Sequence, residues 1–95
     1  MTTVLVHHRV ADYDKWRPEY DRVMKEDWSK EIRTHRVWRG QDDPNLVIVT
    51  TTFDSREGAE RLMNNAKLGE AMGRGGVIQS SVRIDYVDEV AGGTR

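Results

Sequence analysis

Leu46-Val47-Ile48-Val49-Thr50-Thr51-Thr52-Phe53 is the most β-prone run in the chain, β-branched almost throughout. Such side chains are stiff at χ1 and pack well on a pleated surface. The run is apolar on both faces at its start, which predicts a central strand covered on both sides. Gln41-Asp42-Asp43-Pro44-Asn45, just before it, is a turn by composition. Arg33 to Gly40 precedes that turn and reads as a second strand. Thr34, Arg36 and Trp38 share one of its faces, and His35, Val37 and Arg39 share the other. Two strands about one short turn predict a hairpin.

Downstream, Asp54 with Glu57 fits a helix-capping arrangement, with Ser55 as the alternative cap. Ala59, Leu62, Met63 and Ala66 give this helix one apolar side. Asn64-Asn65 and Gly69 weaken it, which predicts a break and a short second piece through Met72. Gly73-Arg74-Gly75-Gly76 ends it. Val77 to Val87 then reads as the last strand, with Val82, Ile84 and Tyr86 on one face and Arg83 and Asp85 on the other. Upstream, Thr3 to Val10 reads as a strand with Val4, Val6, His8 and Val10 on one face and Leu5, His7 and Arg9 on the other. Between the two upstream strands, Tyr13, Trp16, Tyr20, Val23, Met24 and Trp28 recur at helical spacing and form one stripe. Pro18 restricts Arg17, so Asp12 to Trp16 is expected to be a turn or short lead, with the main helix from Arg17 to Lys30. The order strand, helix, strand, strand, helix, strand is the ferredoxin-like βαββαβ arrangement, an α+β fold with two helices on one face of an antiparallel sheet. A second copy of the chain is the simplest cover for the other face, so a homodimer is expected.

The chain has 95 residues, and its 15 Lys and Arg against 16 Asp and Glu leave a net charge of −1. That length predicts a single domain over residues 1–90, with 91–95 as a flexible C-terminal tail. Near-neutral charge argues against a nucleic-acid binder held by phosphate attraction and against a polybasic membrane anchor. With no cysteine, disulfides, thiolate nucleophiles and Cys-ligated metal centres are excluded. No apolar run approaches the roughly 20 residues of a membrane span. The N-terminus shows no signal pattern, so a cytoplasmic location is expected.

The segment Val4-Leu5-Val6-His7-His8-Arg9-Val10 followed by Asp12-Tyr13-Asp14-Lys15-Trp16 resembles the opening of small dimeric α+β barrel proteins. Arg36-Val37-Trp38-Arg39, Asp42-Asp43-Pro44-Asn45 and the β run fit the middle of that pattern. Asp54 to Leu62, Leu68-Gly69-Glu70-Ala71-Met72 and Gly76-Val77 fit its end. The chain is similar, over residues 3 to 88, to the antibiotic-biosynthesis-monooxygenase-like group and to small actinobacterial cyclase-type proteins. The resemblance implies a homodimer whose two sheets meet as a barrel, with a pocket between sheet and helices in each subunit. It says less about chemistry, because that superfamily includes cofactor-free oxygenases, cyclases, isomerases, haem-binding enzymes and ligand-binding modules.

His8 is the first candidate catalytic residue: a histidine in an apolar pocket has a proton affinity suited to a general base. It also falls on the histidine of the family's opening strand. The bland reading is a hydrogen-bonded structural histidine, and His7 and His8 exchange roles if the other sheet face lines the pocket. Arg36 is the candidate stabiliser of negative charge. Trp38 beside it suits a flat anionic or phenolic ligand, or cross-strand packing at a dimer interface. Tyr20, Met24, Met63 and Met72 read either as core or as the adaptable lining of a site for an aromatic ligand. Arg83 and Tyr86 would add a charge and a phenol; the alternative is that Arg83 simply pairs with Asp85, which shares its face. His35 with His7 or His8 lacks ligand-like spacing, so no metal is expected, and no cofactor is expected; haem binding is a third reading, tested by a Soret band on adding hemin. The leading expectation is a cofactor-independent oxygenase or cyclase/isomerase acting on a small apolar substrate by proton abstraction. The alternative is a non-catalytic homodimer that binds a small ligand or a partner protein.

Overall fold

The computed structural model describes Met1 to Arg95. Strands β1 (Thr2–Arg9), β2 (Thr34–Arg39), β3 (Leu46–Phe53) and β4 (Arg83–Val87) form one sheet in the order β2-β3-β1-β4. All three pairings are antiparallel. Helices α1 (Tyr13–Lys25), α2 (Arg56–Met63) and α3 (Ala66–Arg74) complete the ferredoxin-like α+β fold, with its second helix broken in two. β3 is central, and β2 and β3 form the expected hairpin.

Alternation decides which face the helices cover. Val47, Val49, Thr51 and Phe53 of β3 are buried, while Leu46, Ile48, Thr50 and Thr52 are half-exposed. On β1 the buried positions are Val4 and His8. Register carries the same face across the sheet, since His8 pairs with Val47 and Val4 with Thr51. Two apolar clusters lie between sheet and helices. One gathers Val10, Trp16, Tyr20, Val47, Val49 and Val77; the other gathers Val4, Phe53, Ala59 and Leu62.

Helix α1 starts four residues before the expected Arg17 and ends at Lys25 rather than Lys30, with Pro18 inside it. Asp12 is the N-cap, its carboxylate accepting from Asp14 N at 2.9 Å. Pro18 leaves the Asp14 carbonyl without a helical donor, but both residues are on the exposed side, where that carbonyl is open to solvent. The buried stripe of Trp16, Tyr20 and Val23 outweighs the local preference. At the other end, Ser29 Oγ donates to the carbonyls of Val23 at 2.6 Å and Glu26 at 2.9 Å. That buried hydroxyl turns the chain into the 3₁₀ turn Asp27–Ser29.

Ser55, not Asp54, caps α2, accepting from Gly58 N at 3.2 Å. Asp54 instead pairs with Arg33 across the strand end. The break at Asn64-Asn65 is as expected; Asn65 caps α3, which continues through Gly73 and Arg74. The last strand is shorter than Val77 to Val87. Val77 makes a single bridge to Val10, and a 3₁₀ turn at Gln79–Ser81 interrupts the pairing before β4. Ser81 Oγ takes the Arg9 N–H at 2.8 Å, so a side chain replaces a strand carbonyl there. Gly76, at φ 75°, makes the turn into this segment in a conformation that other residues rarely adopt.

Candidate functional site

A cavity of about 310 Å³ lies between the covered sheet face and the three helices. Its size is at the lower end of the range for small-molecule sites. Val6, His8, Val49 and Thr51 form the floor; Trp16, Tyr20, Val23 and Met24 of α1 form one wall; Leu62, Met63, Leu68, Ala71 and Met72 form the other. Most of this surface is apolar. The polar groups are few: His8, Tyr20, Thr51 and Glu19, with Asn64, Asn65 and Gln79.

His8 is 2 % exposed. Its Nδ1 lies 2.9 Å from the Val47 carbonyl oxygen. A carbonyl can only accept, so Nδ1 carries the proton, and the neutral ring keeps its lone pair on Nε2. Burial pulls the proton affinity of His8 below the ordinary histidine value; the Val47 carbonyl opposes this, and nearby His7 adds to it. His8 is therefore a neutral base at neutral pH. Period two puts His7 on the far side of the strand, where it is exposed.

The indole of Trp16 meets the His8 ring edge-on, with centroids 5.8 Å apart. Gly75 permits this position, since a Cβ there would come within 3.2 Å of the indole. Tyr20 stacks on Trp16 at 5.0 Å and 24°. Its hydroxyl lies 2.7 Å from His35 Nδ1. Burial pushes the Tyr20 phenol up to about 12, so it stays protonated and keeps a proton it can donate. Thr51 Oγ1 is buried without any hydrogen-bond partner, an unusual condition for a hydroxyl. Glu19 is held by Arg22 at 2.8 Å and Arg74 at 3.3 Å, and its carboxyl lies below the ordinary value chiefly through Arg22.

Of the residues singled out in the sequence, His8, Tyr20, Met24, Met63 and Met72 come together around the cavity. Arg36 and Trp38 do not. Trp38 pairs with Ile48 and Arg36 with Thr50, which puts both on the uncovered sheet face, and Trp38 is 54 % exposed. Tyr86 is on the covered face, but it sits beside the second cluster with the Arg56 guanidinium 4.4 Å above its ring, outside the cavity. Arg83 pairs with Asp85, at 3.0 Å. Sequence reading passed over Thr51, Asn64, Gln79 and the link from Tyr20 to His35. The alternation that buries Val47 and Val49 also buries Thr51, so that signal was present; the others depend on where the helices cross the sheet.

No protein-family model matches the sequence, and no curated protein does. Solved structures do match in shape. A candidate antibiotic biosynthesis monooxygenase from Bordetella bronchiseptica superposes with a TM-score of 0.75 at 7% identity, over 95% of this chain and 97% of that one. One from Deinococcus radiodurans gives 0.72 at 10% identity, over 100% and 98%. The chain has the antibiotic biosynthesis monooxygenase fold. SnoaB, a cofactor-independent oxygenase from Streptomyces nogalater, shares this monooxygenase fold with a TM-score of 0.67 at 10% identity, over 98% of this chain and 94% of SnoaB. The near-complete coverage takes in the whole sheet and all three helices. No helix is long and apolar enough to cross a membrane.

Proposed function

We propose that this chain is a cofactor-independent enzyme that removes a proton from a small, flat, largely apolar substrate by means of His8. The observation that carries this reading is the His8 ring: Nδ1 is committed to Val47, no protein group occupies Nε2, and the residue lines an apolar cavity. The acidic group is a phenol or a carbon activated by a carbonyl. The resulting anion cyclises, rearranges or passes an electron to dioxygen. SnoaB, described as a cofactor-independent oxygenase, supports chemistry of this kind on the same fold. Met24, Met63 and Met72 give the wall adaptable, polarisable contacts that suit an aromatic ring and exclude water. Arg36 is on the far face, so negative charge is met by uncharged donors of the wall. With anthrone as probe, a flat ketone with an acidic methylene, His8→Ala is expected to lower turnover by about 10²- to 10⁴-fold. Unchanged turnover in that variant overturns the reading.

One observation favours a second reading, a ligand-binding module without catalysis: no Lys or Arg lines the cavity to oppose an anionic intermediate. On that reading His8→Ala leaves ligand affinity within a few-fold, and no turnover is found in the parent.

The chain acts as a homodimer in this proposal. Leu5, Ile48 and Trp38 share the uncovered sheet face, and a second copy placed on it would bury them.

A further inference from the structure

The cavity wall holds a second acid–base element, distinct from His8. Tyr20 is 8 % exposed and lines the cavity, while its hydrogen-bond partner His35 is exposed on the edge strand β2. The pair therefore links the cavity wall to bulk water through one 2.7 Å bond. The stack on Trp16 fixes the Tyr20 ring, so the hydroxyl can change only the direction of its proton.

We propose that Tyr20 and His35 form a switchable hydrogen-bond donor for an anionic oxygen of the ligand. A neutral His35 accepts the Tyr20 proton at Nδ1, which leaves the cavity without it. A protonated His35 has no lone pair and can only donate, so Nδ1–H turns to the Tyr20 oxygen. The phenolic proton then points away from His35 and is free for the ligand. When an anion in the cavity is quenched, Tyr20 O–H gives its proton to the ligand oxygen. The phenolic oxygen takes the Nδ1 proton of His35, and neutral His35 is recharged from water. Each transfer moves one proton, and no electrons leave or enter.

The charges near this pair are few. On α1, Arg17 and Asp21 flank Tyr20 and act on it in opposite senses. Glu19 is tied to Arg22 and Arg74. Opposite His35, β3 presents the uncharged Thr51. Just before β2, Arg33 is engaged by Asp54, and on β2 the Arg39 guanidinium lies over the Tyr13 ring. On β1, His8 is the one other titratable group of the cavity floor. His35 and His8 can be separated by substitution.

This inference rests on the reading that the cavity takes a small aromatic ligand. The test measures affinity for 2-naphthoate and for its neutral isostere 2-naphthamide at pH 5.5 and pH 8. Naphthoate is expected to bind about tenfold tighter at the lower pH, the size of one hydrogen bond to a charged group. Naphthamide, whose neutral carbonyl accepts the freed proton more weakly, should show a smaller trend. Tyr20→Phe and His35→Gln should each remove the naphthoate trend, and an unchanged circular dichroism spectrum shows that they fold. His8→Gln should keep the trend. A trend that survives in either of the first two variants, or that vanishes in His8→Gln, overturns the switch. Binding of both probes with no pH trend in the parent protein overturns it too, while leaving the cavity reading intact. If neither probe binds the parent, the cavity reading falls and the switch falls with it.

Discussion

His8 is buried in its neutral form, and that has a consequence for stability that does not depend on catalysis. Its folded proton affinity is lowered, chiefly by burial, so the unfolded chain binds more protons at mildly acidic pH. The His8 contribution is present above the ordinary histidine range and is lost as pH falls through it. Melting temperature is therefore expected to drop between pH 7.5 and pH 5.5, and less steeply in His8→Phe. An equal slope in both proteins would mean that His8 is not the group responsible. The residue-level reading of the sequence had a definite reach. Period two grouped His8 with Val4 and Val6, and the structure keeps that grouping. It could not say which face the helices cover, and that choice separates His8, which lines the cavity, from Arg36 and Trp38, which do not. Arg36 and Trp38 read as a site because an indole beside a guanidinium is good ligand chemistry. Their register opposite Thr50 and Ile48 sets them on the uncovered side.

Local chemistry and tertiary burial compete most visibly in the elements. Pro18 pointed to a helix starting later, yet α1 runs through it because Trp16, Tyr20 and Val23 bury one face. The missing N–H still has a cost. Pro18→Ala restores the missing N–H on an exposed side, and the expected gain is about 1–3 kcal/mol, measured by urea unfolding. A loss of stability would show that the proline's restriction of the unfolded chain matters more. Ser55→Ala removes the cap of α2 and should cost about 1 kcal/mol. The same change at Asp54 should cost less, because an exposed ion pair with Arg33 is all it gives up. The strands β1, β2 and β3 were legible within one or two residues because their β-branched runs are long. The end of the chain was not: the turn at Gln79–Ser81 depends on Ser81 reaching Arg9, a contact between residues far apart in sequence.

For the whole molecule, the order of elements was enough to specify the fold, because βαββαβ in so short a chain leaves few compact topologies. The proposed dimer is testable at this scale. Light scattering after gel filtration should give twice the 11.0 kDa chain mass. Trp38→Asp should shift the protein toward the chain mass, because it puts a charge on the uncovered sheet face. A monomer in the parent protein overturns the barrel arrangement while leaving the cavity untouched.

Both apolar clusters contribute to the wall of one opening, Trp16, Tyr20 and Val49 from the first and Leu62 from the second. A ligand that binds only the folded chain stabilises it against every denaturing agent, compression included. A ligand that fills the opening should raise the pressure midpoint, and high-pressure fluorescence of the tryptophans would follow it.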